Sequence, residues 1–256
     1  VSPDAEPARD EVVTAYEALY NSHNPTRRAL HQDRLAWLRS TIASIDGPRG
    51  SGRAVEIGPG LGVLLPDLAE RFAEVIALDV EPRFLERARQ VAETYPNIRA
   101  VAADATTWSE AAGTVDLLVC SEVIEHVPEP ARLVAAAAHL LRPGGSLVLT
   151  TPQRWSLLET TGRVVLRKPF LNLLGKLYGE PVVELGHIST ATSTNVCRWI
   201  EQSGLQVDHH HVSGPYIPGI AEALGTRGLR LERWLERHTP GRASGWLWTQ
   251  YWCAHR

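Results

Sequence analysis

Between residues 54 and 151 the apolar positions alternate between short continuous runs and stretches of helical spacing. Ala54–Ile57, Val75–Leu78, Ile98–Ala102, Val115–Cys120 and Ser146–Thr151 read as buried strands, whereas Val63–Arg71, Arg83–Thr94 and Ala131–Leu141 repeat apolar residues at three- and four-residue intervals. Short apolar strands separated by amphipathic helices predict a mostly parallel sheet covered on both faces, with right-handed crossovers. A helix over Thr194–Ser203, a strand over Leu205–His211 and an aromatic last strand over Trp246–Ala254, expected to return antiparallel, complete the pattern. The fold class predicted is α/β: a doubly wound sheet of seven strands.

Ahead of this domain, Glu11–Ser44 reads as helical, broken at Asn24-Pro25, with Tyr16 and Tyr20 on one stripe and Leu30, Leu35, Leu38 and Ile42 on another. The Gly- and Pro-rich stretch 46–53 then leads into the first strand. The expected organisation is therefore an N-terminal helical cap over 1–52 and a main domain over 53–256, carrying lid insertions at 153–186 and 214–244. Insertions of that size usually serve function. These contain Trp155, Leu157, Phe170, Leu174, Tyr178, Tyr216 and Ile217, a composition suited to an organic acceptor and to excluding water.

A hydrophobic fraction of 44% and a charged fraction of 21% suit one ample core. The formal net charge of -3 supplies no overall field for nucleic-acid phosphates. Three widely spaced cysteines, Cys120, Cys197 and Cys253, argue against a disulfide framework. With no basic-then-apolar start and no apolar run of membrane-spanning length, the expectation is a cytoplasmic chain without a transmembrane segment. Peripheral membrane contact through Arg163, Arg167 and Lys168 remains open.

The first strand runs into Glu56-Ile57-Gly58-Pro59-Gly60-Leu61-Gly62 and then a helix, which sets a glycine turn at the carboxyl edge of the sheet, where open α/β folds bind ligands. Dinucleotide enzymes use a similar turn, but here the glycine spacing differs. Glu56 in front of the turn would also repel a pyrophosphate, while it can accept from an ammonium. The second strand ends in Asp79-Val80, suited to a ribose diol, and the third leads into Asp104-Ala105, suited to an adenine amine and ring nitrogen.

In combination, and continuously over residues 53–152, these motifs and Arg142-Pro143-Gly144-Gly145 before the fifth strand resemble the class I S-adenosylmethionine-dependent methyltransferases. The resemblance implies the Rossmann-like methyltransferase fold and S-adenosyl-L-methionine as methyl donor, with S-adenosyl-L-homocysteine as product. It implies a cofactor site of Glu56, Gly58, Gly60, Gly62, Asp79, Val80, Asp104, Ala105 and Ser121. Tyr16, Tyr20, Arg27, Arg28 and Arg34 are further candidates to close over the cofactor or meet its carboxylate.

After the fourth strand comes Cys120-Ser121-Glu122-Val123-Ile124-Glu125-His126-Val127. If helical, this run puts Glu122, Glu125 and His126 on one face. His126 is then a candidate general base for an acceptor hydroxyl, with Glu125 as its orienter. The run is similar to one in quinone-biosynthesis O-methyltransferases, the branch these motifs match best. It is similar also to one in 3′-terminal RNA 2′-O-methyltransferases, whose further histidine completes a metal site. That second likeness implies a divalent-metal set of Glu122, Glu125, His126 and His187. His209-His210-His211, on a strand, is expected to be edge-strand surface.

The function expected is O-methylation of a small organic acceptor, phenolic, glycosidic or isoprenoid-like, in biosynthesis. The alternatives are metal-dependent RNA 2′-O-methylation and N- or C-methylation of a small molecule.

Overall fold

The computed structural model describes residues 20–45, 49–165, 187–217 and 220–256. The expected helix before residue 20, most of the first lid insertion and the basic cluster Arg163, Arg167 and Lys168 lie outside these residues or their described side chains.

Helix α1 (Pro25–Ser44) starts where Asn24 caps it by accepting from the N–H groups of Thr26 and Arg27, with proline at the first position. The chain then alternates: β1 (Arg53–Ile57), α2 (Leu65–Arg71), β2 (Glu74–Asp79), α3 (Pro82–Ala92), β3 (Ile98–Ala102), β4 (Val115–Ser121), α4 (Pro130–Leu140) and β5 (Leu141–Pro152). There follow α5 (Leu157–Val165), α6 (Ser193–Gln202), β6 (Gln206–Ser213), α7 (Ile220–Leu224), α8 (Thr226–His238) and β7 (Thr249–His255). The strands form one open sheet in the order β3-β2-β1-β4-β5-β7-β6. β1 to β5 pair in parallel and β7 runs antiparallel between β5 and β6, as its place at the chain end predicts.

Alternate residues of each central strand feed two cores. Val55, Ile57, Leu118, Cys120, Leu147 and Leu149 pack with Leu133, Val134 and Ile200 of α4 and α6. Ala54, Leu117, Val119 and Val148 pack with Leu38 and Ile42 of α1 and with Leu65 and Leu68 of α2. Burial on both faces is why these strands read as unbroken apolar runs.

Two boundaries differ from expectation. β5 begins at Leu141, five residues before the predicted Ser146, because the chain at Arg142–Gly145 stays beside β4; the register shifts between Val115 and Leu117. Gly145 permits this approach, since a Cβ there would lie 2.6 Å from the Val115 carbonyl oxygen. β7 begins at Thr249 because Gly241–Trp246 forms a 3-10 turn. The three histidines of β6 do lie on the sheet's edge, where His210 stacks on Trp252 at 3.7 Å and His211 on Tyr251 at 4.5 Å.

The second insertion is tied to the N-terminal helix. Glu232 of α8 is fully buried and accepts from the Thr26 hydroxyl at 2.6 Å and from the Ile217 N–H at 2.7 Å. Arg233, one residue on, meets Asp33 at 2.9 Å in an exposed pair. Glu232→Ala, which strands two donors, should cost about 3 kcal/mol in urea unfolding. Arg233→Ala should cost under ~1 kcal/mol, as exposed pairs contribute little.

Candidate active site

Parallel pairing brings the carboxyl ends of β1, β2 and β4 to one edge of the sheet. Glu56, next to last in β1, is 4% exposed, and its Oε2 has no hydrogen-bond partner among the described residues. Burial, reinforced by the charges of Asp67 and Asp79, pushes its pKa up to about 8. The chain leaves β1 through Gly58 and Gly60 at φ +67° and +54°, a region that strains any residue with a Cβ. At Gly58 a Cβ would also strike Val123 at 2.5 Å, whereas above Gly60 it would stand in open space. A buried carboxylate lacking a partner, beside backbone with open space above it, fits a ligand that brings a cation.

At the end of β2, Asp79 is partly buried and uses Oδ1 to accept from the Glu81 N–H at 2.8 Å. Burial raises its pKa, in spite of the N–H donors of Glu81 and Val80. Val80 beside it presents its side chain 69% exposed. Asp104 is exposed, and its Oδ1 accepts from both the hydroxyl and the N–H of Thr106, at 2.7 and 2.8 Å. Those bonds hold its pKa below the usual carboxylate range. One oxygen is thus engaged within the turn, while Ala105 is buried behind it.

The run after β4 corrects the expected helical face. Glu122 has φ +56°, the one non-glycine residue with positive φ among the described residues, and only Ile124–His126 form a 3-10 turn. Glu122 therefore leaves Glu125 and His126 and points to α1. Its Oε2 lies 3.0 Å from Nη1 of Arg34, in a pair whose side chains are 9% and 17% exposed. Its Oε1 accepts from the Thr150 hydroxyl at 3.1 Å, and that hydroxyl is 2.9 Å from Ser121 Oγ. Arg34 thus meets an acid of this chain, at a position expected to meet a cofactor carboxylate. Its pKa is raised: burial opposes the charge, and Glu122 leads the groups that favour it. His31 Nδ1 accepts from Arg34 Nη2 at 3.0 Å, and burial with Arg34 and Arg27 keeps this ring neutral, its pKa well below the ordinary value.

Glu125 is fully buried. Its Oε2 accepts from the Thr151 hydroxyl at 2.9 Å, while Oε1 has no hydrogen-bond partner among the described residues. Burial, then the charge of Glu122, raises its pKa well above the ordinary value. Its backbone carbonyl accepts from the N–H groups of Ile188 and Ser189 at 2.9 and 3.0 Å, which seats His187 beside His126 with ring centres 5.2 Å apart. One ligand atom each from Glu125, His126 and His187 lies within 4.8 Å of the others. The expected metal set thus gathers three of its four members, without Glu122. A carboxylate that motif reasoning missed joins them: Glu159 of α5, whose Oε1 accepts from His187 Nδ1 at 3.0 Å. A carboxylate behind an imidazole fixes its tautomer and orientation, both for proton transfer and for metal ligation. No spacing rule marks Glu159, which lies in an insertion.

Residues 12–210 match the family model described as a methyltransferase domain. The chain is 30% identical over 195 residues to the ubiquinone biosynthesis O-methyltransferase of Leptothrix cholodnii, covering 71% of this chain and 75% of that protein. It is 32% identical to the protein of the same name from Xylella fastidiosa strain 9a5c, covering 53% of this chain and 54% of the relative. Among solved structures, the N-methyltransferase NodS of Bradyrhizobium japonicum WM9, in complex with S-adenosyl-L-homocysteine, superposes with a TM-score of 0.57 at 19% identity. That match covers 95% of this chain and 98% of NodS and shows the shared fold.

The raised pKa of Glu56 has a signed consequence for stability. An unfolded glutamate ionises near its ordinary 4.5, the folded one near 8, so the folded state binds more protons in between. The stability contributed by neutral Glu56 is present below the lower value and is lost as pH rises through the window. Glu56→Gln should therefore flatten the fall in melting temperature between those values, read by thermal melts without ligand.

Proposed function

The chain belongs to the S-adenosylmethionine-dependent methyltransferases, and from that membership we propose that it methylates a hydroxyl oxygen of a small phenolic, glycosidic or isoprenoid-like acceptor. The names of the relatives support oxygen as the accepting atom. The observation that carries the proposal is the juxtaposition of His126, His187 and Glu125, backed by Glu159, at the end of β4. A hydroxyl needs a base near the reacting carbon, whereas a neutral amine does not.

Glu56 takes the ammonium of the donor, and within the turn through Gly58, Gly60 and Gly62 it is Gly60 that leaves the backbone open to close approach. Asp79 takes the ribose diol beside Val80, and Asp104, through its free oxygen, takes the adenine amine beside Ala105. Ser121 borders the methionine moiety. S-adenosyl-L-methionine, when bound, would supply a methyl group from a positively charged sulfur, the carbon–sulfur bond breaking as the carbon–oxygen bond forms and S-adenosyl-L-homocysteine leaving. His126 receives the hydroxyl proton, and Glu125 orients it. Alignment supplies much of the rate.

A divalent ion held by Glu125, His126 and His187 is a second reading, favoured by the buried Oε1 of Glu125 that lacks a partner among the described residues. Such an ion would lower the pKa of an acceptor hydroxyl and hold Glu125 ionised. The acidic balance of the chain weighs against RNA as acceptor.

A labelled-methyl screen over phenols, sugars, amines and short RNA, with and without chelator, tests these readings. Turnover should be greatest on a phenol or sugar hydroxyl and survive chelation. His126→Ala should lower kcat at least ~100-fold while donor affinity holds within ~2-fold. Asp79→Ala should weaken donor binding at least ~10-fold. Activity lost to chelator and restored by a divalent ion would transfer the chemistry to the metal.

A further inference from the structure

Helix α8 faces two environments. Its inner side carries Gly228 and Glu232, both buried, and Glu236, whose Oε1 accepts from the Ser213 hydroxyl at 2.6 Å and the Gly214 N–H at 3.1 Å. Both acids of α8 are thereby turned inward. The outer side carries Trp234, 49% exposed, and Leu231, 39% exposed, and Leu224 at the end of α7 is 50% exposed. Arg227, Arg230, Arg233 and Arg237 are exposed as well. Helical spacing places Arg230 one turn before Trp234, Arg237 one turn after it and Arg227 two turns before it. The indole, whose ring centre lies 4.4 Å from that of His238, thus has arginine positions before and after it along the helix. Among the described residues, Arg233 is drawn aside to Asp33.

We propose that this face of α8, with the end of α7, is a docking surface for the anionic phospholipid surface of a bilayer. Charge complementarity selects that occupant: on a chain with a net charge of -3, this helix presents four arginines while its own two carboxylates are turned inward, and the exposed Asp33 meets one of the four, Arg233. The apolar residues refine the choice. An indole sits well at headgroup depth, arginine stems extend to the phosphates, and leucines reach the acyl boundary. A nucleic acid would use the arginines and the indole but leave Leu224 and Leu231 in water. The surface is separate from the methyl-transfer site and does not depend on which acceptor is used there. It is nonetheless linked to it: Glu232 fastens α8 to α1, and α1 carries Arg34 to Glu122.

Co-sedimentation of the full chain with vesicles tests the assignment. Binding is expected to vesicles of phosphatidylcholine mixed with phosphatidylglycerol at low salt, little to phosphatidylcholine alone, with loss as salt rises. Charge reversal in the double variant Arg230→Glu, Arg237→Glu should reduce partitioning at least ~10-fold, and Trp234→Ala should reduce it at unchanged salt. Both variants should keep the parent's affinity for S-adenosyl-L-homocysteine, which shows that they are folded. Absence of parent binding to the mixed vesicles at low salt, equal binding to neutral ones, or an unaffected double variant would overturn the proposal. So would displacement from vesicles by short RNA, or a change of oligomeric state in the double variant with vesicle binding intact.

Discussion

Three glutamates, Glu56, Glu122 and Glu125, are withdrawn from water at the carboxyl edge of one parallel sheet, and a carboxylate in that position must acquire a cation, a proton or donors. The surroundings answer this demand differently for each. Among the described residues, Glu122 has Arg34, Glu125 has one hydroxyl and a raised pKa, and Glu56 has an oxygen left without a partner. The division separates roles that the residue type alone would leave identical. One acid is paired with a guanidinium, one sits beside two imidazoles, and one keeps an oxygen without a partner among the described residues.

The Arg34–Glu122 pair also explains why the N-terminal helix belongs to the site. A buried guanidinium brought in by α1 meets an acid held in left-handed backbone, and His31 stays neutral behind it. Glu232 fastens the other side of the same helix to α8. The insertion before β7, the N-terminal helix and the turn after β4 are thus connected through buried polar contacts, each costly to break on its own.

The parallel strands, the glycine turn and the acids at the ends of β1 and β2 and after β3 were legible because burial on two faces and strand-end position leave local marks. The turn at Glu122 was not. Its spacing to Glu125 and His126 suits a helix, and only the pull of Arg34, distant in sequence, takes Glu122 off that face. The Glu159–His187 contact was invisible for a related reason: Glu159 lies within, and His187 just after, a stretch of sequence whose path no periodicity dictates. The early start of β5 was hidden because a Pro-Gly-Gly stretch reads as a turn, and only the closeness of Val115 keeps it in the sheet.

In the proposed function, Glu56 receives the ammonium of the methyl donor and its product. Near pH 7, with a pKa of about 8, this side chain is largely protonated before the ligand arrives, and a bound ammonium must draw the proton off. Calorimetric binding of S-adenosyl-L-homocysteine in buffers of differing ionisation enthalpy counts that proton. The account predicts release of close to one proton by the parent chain and its loss in Glu56→Gln. Binding without net release, or equal release from the variant, would contradict it.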